Sequence, residues 1–130
     1  MNSVRTKSIL MIEPDPFFAG IYASKFAQER LGVEVAESLA VARKILRRKT
    51  PRAILLELAQ DRDAGLAFIR EVREEPKSFA VPIIVLTDLA DRTVIGRAFS
   101  AGATEYLLKG HFVPIETVRK VKKIVGGRLA

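Results

Sequence analysis

The residues best suited to chemistry in this chain stand at the ends of short apolar runs. Ile9–Ile12 (ILMI) is followed by Glu13, Pro14 and Asp15, and Ala53–Leu58 (AILLEL) holds Glu57 near its end. Val81–Thr87 (VPIIVLT) closes on Thr87 and Asp88, and Thr104–Leu108 is followed by Lys109 and Gly110. Glu13, Asp15 and Glu57 are hard oxygen donors of the kind that suit a divalent cation such as magnesium. A lysine and a hydroxyl beside them suit an acyl phosphate. Carboxylates in such places also serve simply as helix caps, so residue type alone leaves both readings open. Other chemistries fall away. The chain has no cysteine, which excludes a disulfide framework, a thiolate metal site and a cysteine nucleophile. Its one histidine, His111, excludes a multi-histidine metal site and reads as a surface residue.

These groups meet only if the apolar runs are neighbouring strands. The segments between them have helical patterns. Asp15 caps a helix that Pro16 opens, running to about Arg30 with Phe18, Ile21, Tyr22 and Phe26 on one face and Gly32 as its stop. Val33–Ala36 is a second strand, and Ser38 then caps a helix with Leu39, Ala42, Ile45 and Leu46 inward, ended by Thr50-Pro51. The loop 59–64 leads to a helix with Leu66, Ile69 and Val72 inward that ends before Pro76. Asp91 caps a helix with Val94, Ile95, Ala98 and Phe99 inward, closed by Gly102. Pro114 opens the last helix, with Val118, Val121 and Val125 inward, fading at Gly126-Gly127. Five strands so apolar must be covered on both faces, which means an α/β, doubly wound parallel sheet. The working crevice of such a sheet lies beyond the carboxyl ends of its strands.

The 130 residues carry 48% apolar and 28% charged side chains, and no Gly/Ser/Pro-rich linker divides them. A single domain spanning 1–130 is expected, with its core over about 7–125. No apolar run approaches the roughly 18 residues of a membrane span, and MNSVRTKS does not open a signal peptide. Together with the missing cysteines, this leads us to expect a cytoplasmic chain. The net charge of +7 favours anionic partners. The basic residues form two groups: Arg43, Lys44, Arg47, Arg48, Lys49 and Arg52, then Arg119, Lys120, Lys122, Lys123 and Arg128. They read either as solvated helix faces or as anionic docking surfaces. No aromatics interleave and no recognition helix accompanies them. Nucleic acid is therefore expected only indirectly, or nonspecifically through the basic helix faces.

Four segments carry a family resemblance. ILMIEPDPFF, AILLELAQDRDAG, VPIIVLTDLAD and AGATEYLLKG are similar, in order and spacing, to the receiver domain of two-component response regulators, the chemotaxis single-domain type included. The resemblance runs from about Lys7 to Val125. It implies a flavodoxin-like sheet in the order 2-1-3-4-5. It also implies a signalling module rather than an enzyme, with a sensor kinase or an output protein as partner. The family's partner surface, helix four, strand five and helix five, falls here on Arg92, Arg97, Tyr106, Arg119, Lys120 and Lys123.

The departures from the family bear on function. Its phosphoacceptor aspartate is Glu57 here, and its second acidic residue, a magnesium ligand, is Pro14. Thr87, Lys109 and the aromatic switch position Tyr106 are retained. Gly110 replaces the proline after the lysine, so that peptide should be trans, because a non-proline cis bond costs about 2.5–4 kcal/mol. The resemblance thus implies a degenerate, pseudo-receiver module with no firmly held metal. Weak magnesium binding by Glu13 and Glu57 stays open, as does the alternative of a phosphoaccepting receiver with magnesium-dependent phosphotransfer. Glu57 reads as a mimic of the phosphorylated state, as a drifted residue pairing with Lys109, or as a phosphoacceptor. The expected geometry is a semi-exposed ion pair of Lys109 with Glu57, Glu13 being the alternative acceptor. It would be worth about 0–1 kcal/mol, with Thr87 drawn toward the same carboxylate.

Overall fold

The computed structural model describes residues 4–5 and 8–129, with side chains from 8 to 126. Lys7 and the side chain of Arg128 lie outside the described residues. The strands β1 (Ile9–Ile12), β2 (Val33–Ala36), β3 (Ala53–Leu56), β4 (Ile83–Thr87) and β5 (Glu105–Leu108) form a parallel sheet in the order 2-1-3-4-5. Helices α1 (Pro16–Gln28), α2 (Leu39–Arg48), α3 (Arg62–Glu74), α4 (Arg92–Ala101) and α5 (Pro114–Leu129) alternate with them. Val4–Arg5 pairs in parallel with Lys49–Thr50 as a separate small ladder.

The alternation of side chains along a strand explains why these strands are apolar throughout. Leu10, Ile12, Ile54, Leu56, Ile83 and Val85 pack with Ala42, Ile45, Leu66, Ile69 and Val94 of α2, α3 and α4. Ile9, Met11, Ala53, Leu55, Ile84 and Leu86 face the other way, onto Tyr22, Phe26, Val118 and Val121 of α1 and α5. Asp15, Ser38, Asp61 and Asp91 cap α1 to α4 by accepting hydrogen bonds from first-turn N–H groups.

Several boundaries differ from those expected. β3 stops at Leu56, because the chain turns there: Glu57 N–H still bonds Ile12 O at 3.1 Å, but Leu58 is fully buried against Gly65. β4 starts at Ile83, since Pro82 has no N–H to give a ladder. β5 starts at Glu105, because Thr104 spends its side chain on the N–H of Ile83. The end of α1 is set by Arg30 and not by Gly32. Arg30 takes the left-handed conformation (φ 62°), and Leu31 N–H reaches back to Phe26 O at 2.9 Å. α5 continues helically through Gly126-Gly127 to Leu129. Phe99, expected inward, is 44% exposed: Val94, Ala98 and Ala101 hold the inner face of α4, and Phe99 is one residue out of that period.

Candidate functional site

The same alternation aims the crevice residues. Glu13 follows Met11 by two positions, Glu57 follows Leu55, and Lys109 follows Leu107, and all three predecessors face α1 and α5. In the pairing of β1 with β3, Ile12 stands opposite Leu56, so Glu13 and Glu57 occupy the next rung. Lys109, on the far side of β4, begins a single 3₁₀ turn (Lys109–His111) that leads into α5.

The lysine bridges both carboxylates. Lys109 Nζ lies 2.7 Å from Glu13 Oε1 and 2.7 Å from Glu57 Oε1. The remaining carboxylate oxygens accept main-chain bonds: Glu13 Oε2 from Asp15 N–H at 3.1 Å and Glu57 Oε2 from Ala59 N–H at 2.7 Å. The ammonium also sits 3.8 Å from the centroid of the Phe18 ring, a cation–π contact. Phe18 in turn stacks on Tyr22 at 4.7 Å, and Tyr22 OH meets Thr117 Oγ1 of α5 at 3.4 Å. Glu13 is buried, with 3% side-chain exposure, while Lys109 (11%) and Glu57 (7%) belong to half-buried residues, so the expected semi-exposed pair of Lys109 with Glu57 is present and Glu13 joins it to make a triad. Phe18 provides part of that cover. Burial alone would lower the lysine's pKa, but its hydrogen bonds and Coulomb attraction to Glu13 and Glu57 outweigh it. The ammonium is held above the ordinary lysine range.

Asp15 is exposed and belongs to the helix, accepting from Phe17 N–H at 3.0 Å. Among the described residues, no group of three or more His, Cys, Asp and Glu side chains is placed to hold a metal ion. Described peptides are all trans, that of Gly110 included.

Thr87 does not join Glu57. It follows Val85 by two positions and so shares the side that faces α2, α3 and α4. There its fully buried hydroxyl accepts from Leu89 N–H at 3.3 Å, and Tyr106 OH donates to Leu89 O at 2.7 Å. Thr87 and Tyr106 therefore meet through the main chain of Leu89. Burial, then the charges of Glu57 and Asp91, raises the pKa of Tyr106.

The residues of the expected partner surface are dispersed around the edge strand β5. Arg92 and Arg97 lie on α4, where Arg97 pairs with Asp63 at 3.2 Å, and Arg119, Lys120 and Lys123 are exposed on α5. Lys120 Nζ is 4.9 Å from the Phe112 ring centroid. In the other basic group, Arg43 forms a two-pronged bridge to Glu71 at 2.9 Å and Lys49 reaches Glu34 at 3.3 Å, while Lys44, Arg47 and Arg48 are exposed. Sequence reading missed Phe18 and Leu89. Phe18 carries the pattern of a core residue, and Leu89 acts through main-chain atoms that no side-chain pattern reveals.

The model of the response regulator receiver domain family matches residues 9–121, and the chain belongs to that family. An uncharacterized 14.6 kDa protein in the sodA1 3′ region of Leptolyngbya boryana is 28% identical over 123 residues, 95% of this chain and 93% of that one. The fold recurs in a response regulator from Thermotoga maritima, with a TM-score of 0.81 and 21% identity over 96% of this chain and 99% of that chain. It recurs also in a CheY-like receiver domain protein from Methanospirillum hungatei JF-1, with a TM-score of 0.81 and 17% identity over 97% and 96% of the two chains. The protein is thus a receiver domain of response-regulator signalling. Among the described residues, no helix is long and apolar enough to cross a membrane.

Proposed function

We propose that this receiver is a pseudo-receiver, a cytoplasmic module that signals through protein–protein contacts without being phosphorylated. One observation carries the reading: the Lys109 ammonium is held by Glu13 and Glu57 together, at 2.7 Å each. In a phosphorylated receiver a lysine at this position would be free to meet phosphoryl oxygens. Here its charge is already spent, and the Glu57 oxygen opposite is tied to Ala59 N–H. Phosphoryl transfer rests on positioning and charge neutralisation, and this arrangement withholds both from an incoming donor. The donor set also fits a magnesium ion poorly. All four oxygens of Glu13 and Glu57 are engaged, Pro14 has no side-chain donor atom, and Asp15 is bound to the start of α1. Glu57 then stands where a phosphoryl group would, holding Lys109 without phosphorylation. The partner is a sensor kinase or an output protein that meets the α4–β5–α5 side through Arg92, Arg97, Tyr106, Arg119, Lys120 and Lys123.

The test is incubation with acetyl phosphate and magnesium, followed by intact mass measurement. The unmodified mass is expected throughout. A phosphorylated species that Glu57→Gln abolishes would overturn the reading and make the chain a phosphoaccepting receiver.

A further inference from the structure

The chain carries a net charge of +7, yet the starts of α1 and α2 present the exposed carboxylates Asp15 and Glu37. At α3 and α4 the exposed caps Asp61 and Asp91 are each followed by an exposed arginine, Arg62 and Arg92. Beside the crevice, between the starts of α1 and α2, lies a hollow of about 260 Å³ lined by Glu13, Pro14, Pro16, Val35, Glu37 and Val41. Four of these six side chains are apolar, and none is basic. Val35 is 40% exposed although it lies in a strand, and Phe17, next to Pro16, is 77% exposed. Exposed apolar side chains gathered beside a polar rim mark contact surfaces.

From this we infer that the hollow is a docking site for a basic amphipathic segment of another protein, one that seats an apolar side chain against Pro14, Pro16 and Val35. Glu13 is committed to Lys109, which leaves Glu37 and Asp15 as the exposed carboxylates to meet the segment's Lys or Arg residues. The charge argues against other occupants. Phosphate-rich surfaces are repelled by an acidic rim. The site also gives Pro14 a role: its ring supplies part of the apolar wall. This surface lies apart from the α4–β5–α5 side and stands or falls independently of it.

Fluorescence anisotropy with a labelled amphipathic peptide, leucine on one face and lysine on the other, tests the inference. The peptide should bind despite the like net charge of the protein, and a leucine–glutamate version should not compete for the hollow. Val35→Lys should weaken binding about tenfold or more, the scale set by losing one buried aliphatic contact. Glu37→Lys, an exposed change with no cost to folding, should weaken it several-fold and flatten its salt dependence. Circular dichroism checks that both variants are folded. Absent binding, or binding unchanged by both substitutions, would overturn the proposal. So would sedimentation showing a dimer that Val35→Lys dissolves, since a second copy would then own the hollow.

Discussion

Two cations anchor opposite ends of this sheet, and they are satisfied in different ways. At the carboxyl ends of the strands, Lys109 is held by two ionised carboxylates and an aromatic face. At the amino ends, the half-buried Arg73 of α3 donates to neutral oxygens. Its guanidinium donates to Gly102 O at 2.9 Å, Phe79 O at 2.9 Å, Val81 O at 2.7 Å and Thr104 Oγ1 at 3.3 Å. The Arg73 arrangement is a staple that ties the end of α3 to the approaches of β4 and β5. The Lys109 arrangement is a balance of charges that stays closed only while every partner keeps its ionisation. The Lys109 arrangement is therefore one that a partner or pH can reset.

The largest expected effect follows from breaking that balance. Lys109→Met leaves the buried Glu13 and the half-buried Glu57 with no cation, and it should cost up to about 3–5 kcal/mol in urea unfolding. Adding Glu13→Gln and Glu57→Gln to Lys109→Met should recover much of the loss, because no charge is then stranded. The pH dependence has a definite sign. The folded ammonium is held above its unfolded value, so its stabilisation is complete below the ordinary lysine range and is lost as pH rises through the folded pKa. The raised pKa of Tyr22, pushed up by burial against the opposing Thr117 hydrogen bond, acts in the same direction. The difference between wild type and Lys109→Met carries the lysine together with the smaller effect of its charge on Tyr22. That difference should be flat near neutrality and shrink only at strongly alkaline pH. A gap that stayed constant through the alkaline limb would show that the lysine's charge contributes nothing.

Arg73→Ala should cost less, about 1–3 kcal/mol, the range for leaving buried carbonyls short of donors. Lysine should not rescue it, since a point charge cannot serve four acceptors spread over two segments. Full rescue by Arg73→Lys would erase the distinction between the two ends.

The two ends also differ in how far the sequence discloses them. Apolar runs alternating with helical patterns disclose the five strands, and the four matching segments disclose the positions of Glu13, Glu57, Thr87 and Lys109. What they leave hidden is which groups touch. Strand alternation puts Thr87 on the opposite side from Glu57, a fact that depends on where each strand ends. β3 ends two residues earlier than its apolar run, and periodicity has no means of registering the turn at Leu58 and Gly65. The sharing of Lys109 between two glutamates needs the in-register pairing of β1 with β3. Arg73 is hidden altogether, because three of its acceptors are main-chain carbonyls and it looks like any basic residue near a helix end.

The smallest expected effect concerns the link between Thr87 and Tyr106. Tyr106→Phe keeps the ring, which packs against the cluster on the α2, α3 and α4 side, and removes only the bond to Leu89 O at 2.7 Å. That carbonyl belongs to a partly buried residue whose N–H is itself held by Thr87. The stability cost should fall near 0.5–1.5 kcal/mol, the net worth of one hydrogen bond. If Thr87 and Tyr106 act as one unit through Leu89, Thr87→Val and Tyr106→Phe together should cost less than the sum of the single changes. Strict additivity in urea unfolding would mean that the two groups only happen to share a loop. In that event Tyr106 is an aromatic packed at the sheet edge, and the ionic crevice is left as the element a partner can act upon.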